Sequence, residues 1–492
     1  MSGPMSDSAE VLVGVDLGTT DTKAVITTPD GATVAYARRP TTWTADADGR
    51  WESTGAALTA DLLSAVSDAL AAYRQSSGAP ARVLGLGIAG IAESGVVLDA
   101  HGREASPVIA WFDERGDAEL RSLEPAFLAE FPGRTGLPVG SQWTLPKLLW
   151  LRGAGVALTA SSRWLGVPEF IAWTLCGEQV SEPSLASRTA LIDQATGRPW
   201  DAALETLGIT ARFLPESVPA GSAAGRVTQC AAVPELDGAV VTVAGHDHPV
   251  AAVGAGAVGP EDLFDSCGTA EVLLRSVPRV LDDAERATLV GLAVDAGRHV
   301  LPGHTALIGG MRSGLVMRRI LSLVGAADAA GRDALDRRWQ GGPAGSSLSI
   351  TGAAIHDNDV TIRLRDGAGP DVAWAATLAH LADQTTALLR GISSVVGEHR
   401  CAVAAGGWTR MRSVRESKAA AIPRLTFSPV DQPGARGAAL FAGSAALGGG
   451  AVEEMVRRFA ATAELPTPLR SPPQRSGPRS DSHAVIQKER AH

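Results

Sequence analysis

The 492-residue sequence predicts an α/β protein made of two related halves. Two observations support this fold class. The chain opens with segments in the order β-β-β-α-β, and a strand, a Gly-Thr turn and a second strand occur near the start and again near residue 265. A chain of this length also exceeds what one hydrophobic core usually serves, so two or more domains are expected.

The first half begins with three short strands joined by turns. They are predicted at Val11–Val15, Thr22–Thr28 and Thr33–Arg38, and the second turn contains a Pro-Asp-Gly sequence. Apolar residues recur at helical spacing over Ala56–Ala72, and Arg82–Ala89 is typical of a buried strand. This order is that of a ribonuclease-H-like domain.

The second half repeats the beginning of the first. An apolar strand at Val240–Ala244 and a stretch rich in glycine and alanine precede the repeated strand–turn–strand pattern over 262–275. A helix, a strand and a helix are then predicted at Trp374–Val396, Cys401–Ala405 and Ala438–Leu447. We therefore predict an N-terminal domain at 11–254, a C-terminal domain at 255–450, a flexible segment at 1–10 and a disordered tail at 465–492.

Composition and charge exclude several classes of protein. Hydrophobic residues make up 45% and charged residues 20%, which is ordinary for a globular chain and excludes wholesale disorder. The net charge of −9 argues against a nucleic-acid partner. No uncharged apolar run approaches the length of a membrane span, so no membrane association is expected. The four cysteines form no CxxC pair, and a reducing cytoplasm is the expected location.

Two nucleotide-binding motifs can be set aside. The segment Gly85–Gly90 matches G-x-G-x-x-G, but a dinucleotide fold requires a helix next, and residues 91–99 are predicted as a loop followed by a strand. A Walker A loop is excluded because the sequence contains no Gly-Lys dipeptide. ATP binding therefore requires a different phosphate cradle.

The segment from Asp16 to Lys23 offers such a cradle. Its turn, Gly18-Thr19-Thr20, lets backbone N–H groups converge on phosphate oxygens, and the hydroxyls and Lys23 add donors and charge. Asp16, at a strand end, is a candidate for holding Mg²⁺ through water, because Mg²⁺ dehydrates reluctantly. A polar hairpin without a ligand is the alternative.

A second turn of the same chemistry lies at Asp265–Ala270, with Gly268 and Thr269 at its centre. Two such hairpins facing each other would hold the β- and γ-phosphates of a nucleotide from both sides. The pair of turns is therefore more specific than either turn alone.

The segment Gly245–Pro249 follows an apolar strand and carries His246, Asp247 and His248. If the strand continues, the two histidines share one face of it. A metal site would need a third ligand, which the neighbouring sequence does not offer, and a polar loop is the simpler interpretation. Asp247 is a better candidate for a general base, because a carboxylate between the two halves can accept a hydroxyl proton.

Together these segments resemble the FGGY family of carbohydrate kinases, in the superfamily shared by actin, hexokinase and the heat-shock ATPases. The resemblance runs from about Val11 to Leu447. It is carried by Asp16–Thr20, Gly245–Pro249, Asp265–Glu271, Trp111–Arg115, Thr144–Trp150, Ala186–Thr189 and Gly406-Gly407.

The resemblance implies two ribonuclease-H-like domains of the actin-like ATPase type, which close over ATP, Mg²⁺ and a sugar or polyol in the cleft between them. Asp247 is then the catalytic base. With the turns described above, the nucleotide and metal residues are Asp16 (at Mg²⁺), Gly18, Thr19, Thr20, Lys23, Gly268, Thr269, Gly310 and Gly407. The implied substrate residues are Glu93, Trp111, Asp113 and His248.

The identity of the substrate stays open. Ala92 stands where glycerol kinases carry an arginine, and Ile91-Ala92 stands where xylulokinases place Met-His. Met411 stands where the adenine segment usually offers an asparagine. A sugar or nucleotide sensor that kept the fold and lost catalysis is the alternative to an enzyme. A homodimer is considered because dimers are the commonest closed assembly.

Overall fold

The computed structural model describes residues 9–268, 270–341, 348–352, 359–364 and 369–448. Thr269 and the tail predicted at 465–492 lie outside the described residues, as do residues 1–8. The predicted flexible segment 1–10 extends too far, because the first strand begins at Ala9, where the backbone already pairs with Ala81.

The first half contains fifteen described strands and eight described helices. In chain order they are β1 (Ala9–Leu17), β2 (Asp21–Thr27), β3 (Thr33–Pro40), β4 (Thr44–Ala45), β5 (Trp51–Ser53), α1 (Gly55–Ser77), β6 (Ala81–Gly90), β7 (Gly95–Leu98), β8 (Val108–Ile109), α2 (Asp117–Arg121), α3 (Pro125–Thr135), α4 (Thr144–Gly153), β9 (Arg163–Gly166), α5 (Val167–Cys176), β10 (Val180–Ser181), α6 (Pro183–Ala186), β11 (Ile192–Asp193), β12 (Arg198–Pro199), α7 (Asp201–Leu207), β13 (Glu216–Ser217), β14 (Gly225–Arg226), β15 (Val240–His246) and α8 (Asp247–Ala255).

The rest of the described chain contains eight strands and six helices. They are β16 (Leu263–Cys267), β17 (Glu271–Val277), α9 (Asp283–Gly291), β18 (Asp295–Arg298), β19 (Thr305–Met311), α10 (Ser313–Leu323), α11 (Ala329–Arg338), β20 (Leu348–Gly352), β21 (Val360–Leu364), α12 (Pro370–Val396), β22 (Ala402–Ala405), α13 (Arg412–Ala421), β23 (Leu425–Phe427) and α14 (Pro433–Leu447).

The first sheet has the strand order β14-β15-β6-β1-β2-β3. β1, β2 and β3 form an antiparallel meander, and β6 and β15 run parallel to β1 and β6, respectively. β1 is apolar along most of its length because both faces of the sheet are covered. Val13 and Val15 pack in the core that includes α1, whereas Leu12 packs in the core that includes α14.

The second sheet repeats this arrangement. Its order is β18-β19-β17-β16-β22-β23, in which β16, β17 and β19 form the antiparallel meander and β22 runs parallel to β16. Removing the edge strands β14 and β18 leaves the same order of five strands in both sheets. The repeat inferred from the two strand–turn–strand patterns is therefore present in the fold.

Helix α1 shows why an apolar segment forms a covering helix. Thr54 caps its first turn by accepting the backbone N–H of Ala57, and Gly78 ends it in the left-handed conformation at φ 70°. Leu58 and Leu62 on its inner face are fully buried. Among the described residues it is the one helix that length and composition would allow to cross a membrane, and packing against β2 and β3 accounts for its apolar face.

The G-x-G-x-x-G segment lies within β6, so it forms no phosphate loop. A Cβ on Gly87 would lie 2.0 Å from the carbonyl oxygen of Ala438, and one on Gly85 would lie 2.8 Å from that of Ala442. The missing side chains let α14 lie directly on the sheet. Although α14 lies in the sequence range assigned to the second half, it packs on the first sheet.

Helix α8 connects the two halves. Val250 and Val253 pack in the core beside α14, and Ala252 and Ala255 pack against the second sheet. The residue at the start of α8 is therefore held by contacts with both halves.

Candidate active site

Three parallel strands of the first sheet end side by side. Leu17 of β1 lies opposite Gly90 of β6, and Gly90 lies opposite His246 of β15. Ligands of open α/β sheets bind at such carboxyl ends. The residues that follow the three ends are Gly18-Thr19-Thr20, Ile91-Ala92-Glu93 and Asp247-His248.

Asp247 lies at the junction of β15 and α8. The sequence pattern allowed the strand to continue to His248. In the structure the strand ends at His246, and Asp247 is the first residue of α8. Oδ1 of Asp247 lies 3.1 Å from Nε2 of His246 and accepts the backbone N–H of His248 at 2.6 Å. Gly245 has φ 113°, a conformation that favours glycine, and a Cβ there would lie 2.6 Å from Cγ1 of Val300, so only glycine fits just before the strand ends.

The surroundings of Asp247 keep its carboxylate ionised. Burial alone would raise the pKa of Asp247, but the two neighbouring histidines and the backbone N–H of His248 outweigh burial and hold the pKa below its ordinary value. The N-terminus of α8 adds partial positive charge at the same place. The rings of His246 and His248 meet edge to face, 5.6 Å apart. The result is an ionised, oriented carboxylate that can accept a proton.

Asp16 is a second carboxylate at this edge. Its Oδ2 lies 3.5 Å from Nζ of Lys23. Burial raises the pKa of Asp16, Lys23 lowers it, and the charge of Asp247 raises it, so Asp16 and Asp247 are electrostatic neighbours. The first turn of α14 approaches Asp16 closely, because a Cβ on Gly434 would lie 2.5 Å from Oδ2.

Three side chains from other segments hold the turn after β1, and two of them, Thr41 and Trp43, were not predicted as site residues. Thr41 donates from Oγ1 to the carbonyl oxygen of Gly18 at 2.7 Å, and Trp43 donates from Nε1 to that of Thr19 at 3.0 Å. Trp111 donates from Nε1 to Oγ1 of Thr19 at 2.8 Å. Trp111, predicted at the substrate, therefore also contacts the predicted phosphate turn.

Glu93 takes part in a buried ion-pair network. Its Oε1 accepts a hydrogen bond from Nε of Arg188 at 2.9 Å, and Nη1 of Arg188 donates to Oδ2 of Asp295 at 3.0 Å. Arg188 belongs to the Ala186–Thr189 motif that carries part of the family resemblance. That motif could have identified Arg188 as a site residue from the sequence. Asp295 belongs to β18 of the other half, and its local sequence gives no sign of this contact.

Asp113, predicted at the substrate, has both carboxylate oxygens engaged within the first half. Oδ1 accepts hydrogen bonds from the backbone and Nε of Arg115, and Oδ2 accepts from Nη2 of Arg115 and the backbone N–H of Trp51. Nζ of Lys147 donates to the carbonyl oxygen of Asp113. Burial opposes ionisation, but these hydrogen bonds lower the pKa of Asp113. This arrangement holds the 108–115 segment in place.

Three predicted nucleotide residues of the second half, Gly268, Gly310 and Gly407, lie at one end of the second sheet. Gly268 comes after β16, and Gly407 comes two residues after β22, which runs parallel beside it. Gly310 lies on β19 opposite Val272, at the same end of the sheet. A Cβ on Gly310 or Gly407 would meet nothing within 4 Å, so both backbones border open space.

A buried ion triad lies beside this second turn. Nζ of Lys418 lies 3.3 Å from Oδ2 of Asp265 and pairs with Oε1 of Glu271. Burial and the charge of Glu271 raise the pKa of Asp265 to about 7, whereas Lys418 lowers it. The triad joins the strands on both sides of the turn to α13.

Residues 11–254 match the N-terminal domain of the FGGY family of carbohydrate kinases. A glycerol kinase from Thermus brockianus is 32% identical over 275 residues, which cover 54% of this chain and 54% of that relative. The chain spans about half the length of the curated relatives it matches. Through its N-terminal domain, the chain belongs to the FGGY family of carbohydrate kinases.

Solved structures extend the likeness to the whole fold. A xylulose kinase from Rhodospirillum rubrum has a TM-score of 0.75 and 24% identity, covering 92% of this chain and 98% of that one. A glycerol kinase from Plasmodium falciparum with ADP has a TM-score of 0.78 and 15% identity, covering 92% of each chain. The predicted α/β fold of two ribonuclease-H-like domains, as in actin-like ATPases, is confirmed.

Proposed function

We propose that this protein is an ATP-dependent kinase that phosphorylates a hydroxyl of a sugar, ketose or polyol. The observation that carries the proposal is the ionised Asp247 at the start of α8, beside Asp16 and at the same sheet edge as the turn 18–20. A hydroxyl base next to a phosphate cradle is what phosphoryl transfer requires. The names of the related glycerol and xylulose kinases agree with this activity.

ATP is the proposed phosphoryl donor, and the ADP of the Plasmodium glycerol kinase structure supports this choice. We assign sugar and phosphate binding to the domain at 11–254 and nucleotide binding to the domain at 255–450. Open space beside Gly310 and Gly407 leaves room for a nucleotide against the backbone. The proposed nucleotide residues are Gly18, Thr19, Thr20, Lys23, Gly268, Thr269, Gly310 and Gly407.

The residues at the first strand edge fit a magnesium ion. Asp16 is 9% exposed and faces the charge of a second carboxylate, Asp247, and carboxylate oxygens with bound water are the ligands that Mg²⁺ prefers. Asp16 would hold the ion through water. When bound, Mg²⁺ neutralises negative charge on the phosphates during transfer.

In the proposed reaction, Asp247 accepts the proton of the attacking hydroxyl. The hydroxyl oxygen forms a bond to the γ-phosphorus, the bond from that phosphorus to the β–γ bridging oxygen breaks, and ADP leaves. His246 orients the carboxylate of Asp247 through its Nε2. Glu93 and His248 lie at the neighbouring strand ends, where they would hold substrate hydroxyls.

A coupled assay of ADP release over ketoses, aldoses and polyols tests the proposal. Asp247→Asn should lower the rate by about 10²- to 10⁴-fold, because a positioned base is lost. Asp99→Asn, on the tight turn after β7, is the control, because its carboxylate accepts hydrogen bonds from His101 and Arg103 of the same turn. Full activity of Asp247→Asn would contradict the assigned role. A sensor of the same fold would instead show ligand-dependent thermal shifts without turnover of ATP.

We also propose that the protein works in the cytoplasm with a small-molecule substrate and no nucleic-acid or membrane partner. Cys176, Cys230 and Cys267 are buried free thiols and Cys401 is an exposed one, which is the state that a reducing compartment maintains. We further propose that the protein forms a homodimer, and light scattering after size-exclusion chromatography would test this.

A further inference from the structure

Arg188 is held between two carboxylates that come from different halves of the chain, Glu93 and Asp295. Its guanidinium also lies over the ring of Trp143, 4.6 Å from the centroid. The side chains of Arg188, Glu93 and Asp295 are only 8%, 10% and 16% exposed. Their charges are therefore weakly screened by water and act strongly on anything that enters beside them.

The position of Asp295 is fixed by close packing between the halves. Asp295 is the first residue of β18, and a Cβ on Gly297 of that strand would lie 2.6 Å from Oγ of Ser187. Further along, Val300 lies against Gly245, just before the proposed base. β18 and the residues that follow it are thus held against both the segment that carries Arg188 and the end of β15.

The network lies next to the proposed substrate site and carries excess negative charge. Glu93 lies three residues after Gly90, which pairs across the sheet with His246, the residue before Asp247. Burial lowers the pKa of His248, and the charges of Arg188 and Glu93 also act on its ring. Burial raises the pKa of Asp295, whereas the charge and hydrogen bond of Arg188 oppose that rise. With both carboxylates ionised, one guanidinium faces two of them, so the three side chains sum to one negative charge. A substrate carboxylate that bound there would lose its hydration and would also be repelled by the net negative charge. A neutral hydroxyl, in contrast, can donate a hydrogen bond to a carboxylate oxygen.

We infer that Asp295, by pairing with Arg188, makes the site selective for electrically neutral polyhydroxy substrates over sugar acids. The inference rests on the proposed kinase function and narrows its substrate class. Without the charge of Asp295, Arg188 would be compensated by Glu93 alone. Its Nη1 and Nη2 groups could then bind a carboxylate in the bidentate geometry that guanidinium favours.

The experiment compares matched neutral and acidic compounds: glycerol with glycerate, xylitol with xylonate, and glucitol with gluconate. ADP release gives kcat/KM for each compound, and calorimetry gives its Kd. The wild type should prefer the neutral member by about 10-fold or more, and Asp295→Asn should reduce this preference by about 10-fold or more. Asp295→Glu should retain it. Asp283→Asn is the matched control, because Asp283 pairs with Arg134 across the same two halves at 3.6 Å.

A wild type that prefers the acids overturns the inference, and so does an Asp295→Asn variant that keeps the full preference. An equal loss of preference in Asp283→Asn also overturns it, since the effect would then belong to the joint between the halves. If Asp295→Asn fails to fold, the wild-type panel and Asp295→Glu decide. Absence of ADP release with these compounds and with the wider panel of ketoses and aldoses contradicts the kinase proposal instead, while the calorimetric preference still decides the inference. Binding of no compound in either panel overturns both.

Discussion

The indole Nε1 of Trp111 donates a 2.8 Å hydrogen bond to Oγ1 of Thr19, across 92 residues of sequence. Trp111 follows β8, whereas Thr19 lies in the turn between β1 and β2. The contact joins the segment predicted at the substrate to the turn predicted at the phosphates. Because the ring also meets Phe112 edge to face at 5.7 Å, the orientation of the indole is fixed by packing.

Trp111→Phe should weaken the use of ATP. The variant removes the indole N–H, and loss of one hydrogen bond of about 0.5–1.5 kcal/mol should raise the KM for ATP by about 2- to 10-fold. The KM for the sugar should change less. Steady-state kinetics with each substrate varied in turn measure both constants.

Trp164→Phe is the matched control for Trp111→Phe. The buried Nε1 of Trp164 has no hydrogen-bond partner among the described residues. The substitution therefore replaces an indole by a phenyl ring, as in Trp111→Phe, without breaking a hydrogen bond. An equal rise in the KM for ATP in both variants, or a change confined to the KM for sugar in Trp111→Phe, would contradict the assignment.

Lys23→Met should shift the acid limb of the pH–rate profile upward. Burial and Asp247 raise the pKa of Asp16, and Lys23 opposes them, so removing Lys23 leaves Asp16 protonated up to a higher pH. A protonated Asp16 is a poor partner for a hydrated cation. The measurement is kcat/KM from pH 5 to 9 at saturating magnesium.

Lys23→Arg should keep the acid limb near its wild-type position, because it retains the positive charge beside Asp16. Arg39→Met controls for a general change in surface charge, since Arg39 pairs with the exposed Asp68 at 2.6 Å. An acid limb that stays in place in Lys23→Met would exclude Asp16 as the titrating group.

Much of the fold could be predicted because its signals are local. The apolar run around Val11–Val15 and the periodicity of Ala56–Ala72 each lie within one element, and the structure extends both only at their ends. The first turn of α8 could not be predicted from the same rules. Gly245-His246-Asp247-His248 fits a strand by pattern, and that pattern does not show that Gly245 adopts φ 113° with Val300 packed close against it.

The placement of the candidate residues at a strand end was predictable where one segment carries them, as at Asp16–Lys23. The site was not predictable where two distant segments create it. Arg188 acquires its second carboxylate from Asp295, 107 residues away, and Trp43 acquires its partner from the turn after β1. Side-chain partners of this kind depend on how sheets and helices pack, which a local pattern does not contain.

Gly87→Ala should destabilise the protein through α14. A Cβ at this position would lie 2.0 Å from the carbonyl oxygen of Ala438, so the helix must move or the sheet must bend. Overpacking of this kind costs about 1–3 kcal/mol and sometimes more. Gly153→Ala, where a Cβ meets nothing within 4 Å at the end of α4, should change stability by less than about 1 kcal/mol. Thermal melting of both variants decides, and equal melting temperatures would contradict the packing argument.

The buried carboxyl of Glu182 is connected through Ser184 to His246, the residue before the candidate base Asp247. Its Oε2 accepts the backbone N–H groups of Ser184 and Leu185 at 2.8 and 3.1 Å, and Oγ of Ser184 accepts the backbone N–H of His246 at 2.9 Å. Burial raises the pKa of Glu182 to about 8, and the charge of Glu169 contributes to the rise.

Glu182→Gln should therefore flatten the pH dependence of stability. A carboxyl whose pKa is higher in the folded than in the unfolded state stabilises fully below its ordinary pKa, and this contribution is lost as the pH rises through about 8. Between the ordinary pKa of a glutamate and about 8, this group should lower the free energy of unfolding of the wild type by up to about 1.4 kcal/mol per pH unit. In Glu182→Gln the amide cannot ionise, so its melting temperature should fall less between pH 5.5 and 8.5. Glu178→Gln, at an exposed site, should follow the wild type, and parallel curves for all three proteins would show that Glu182 does not titrate in the folded state.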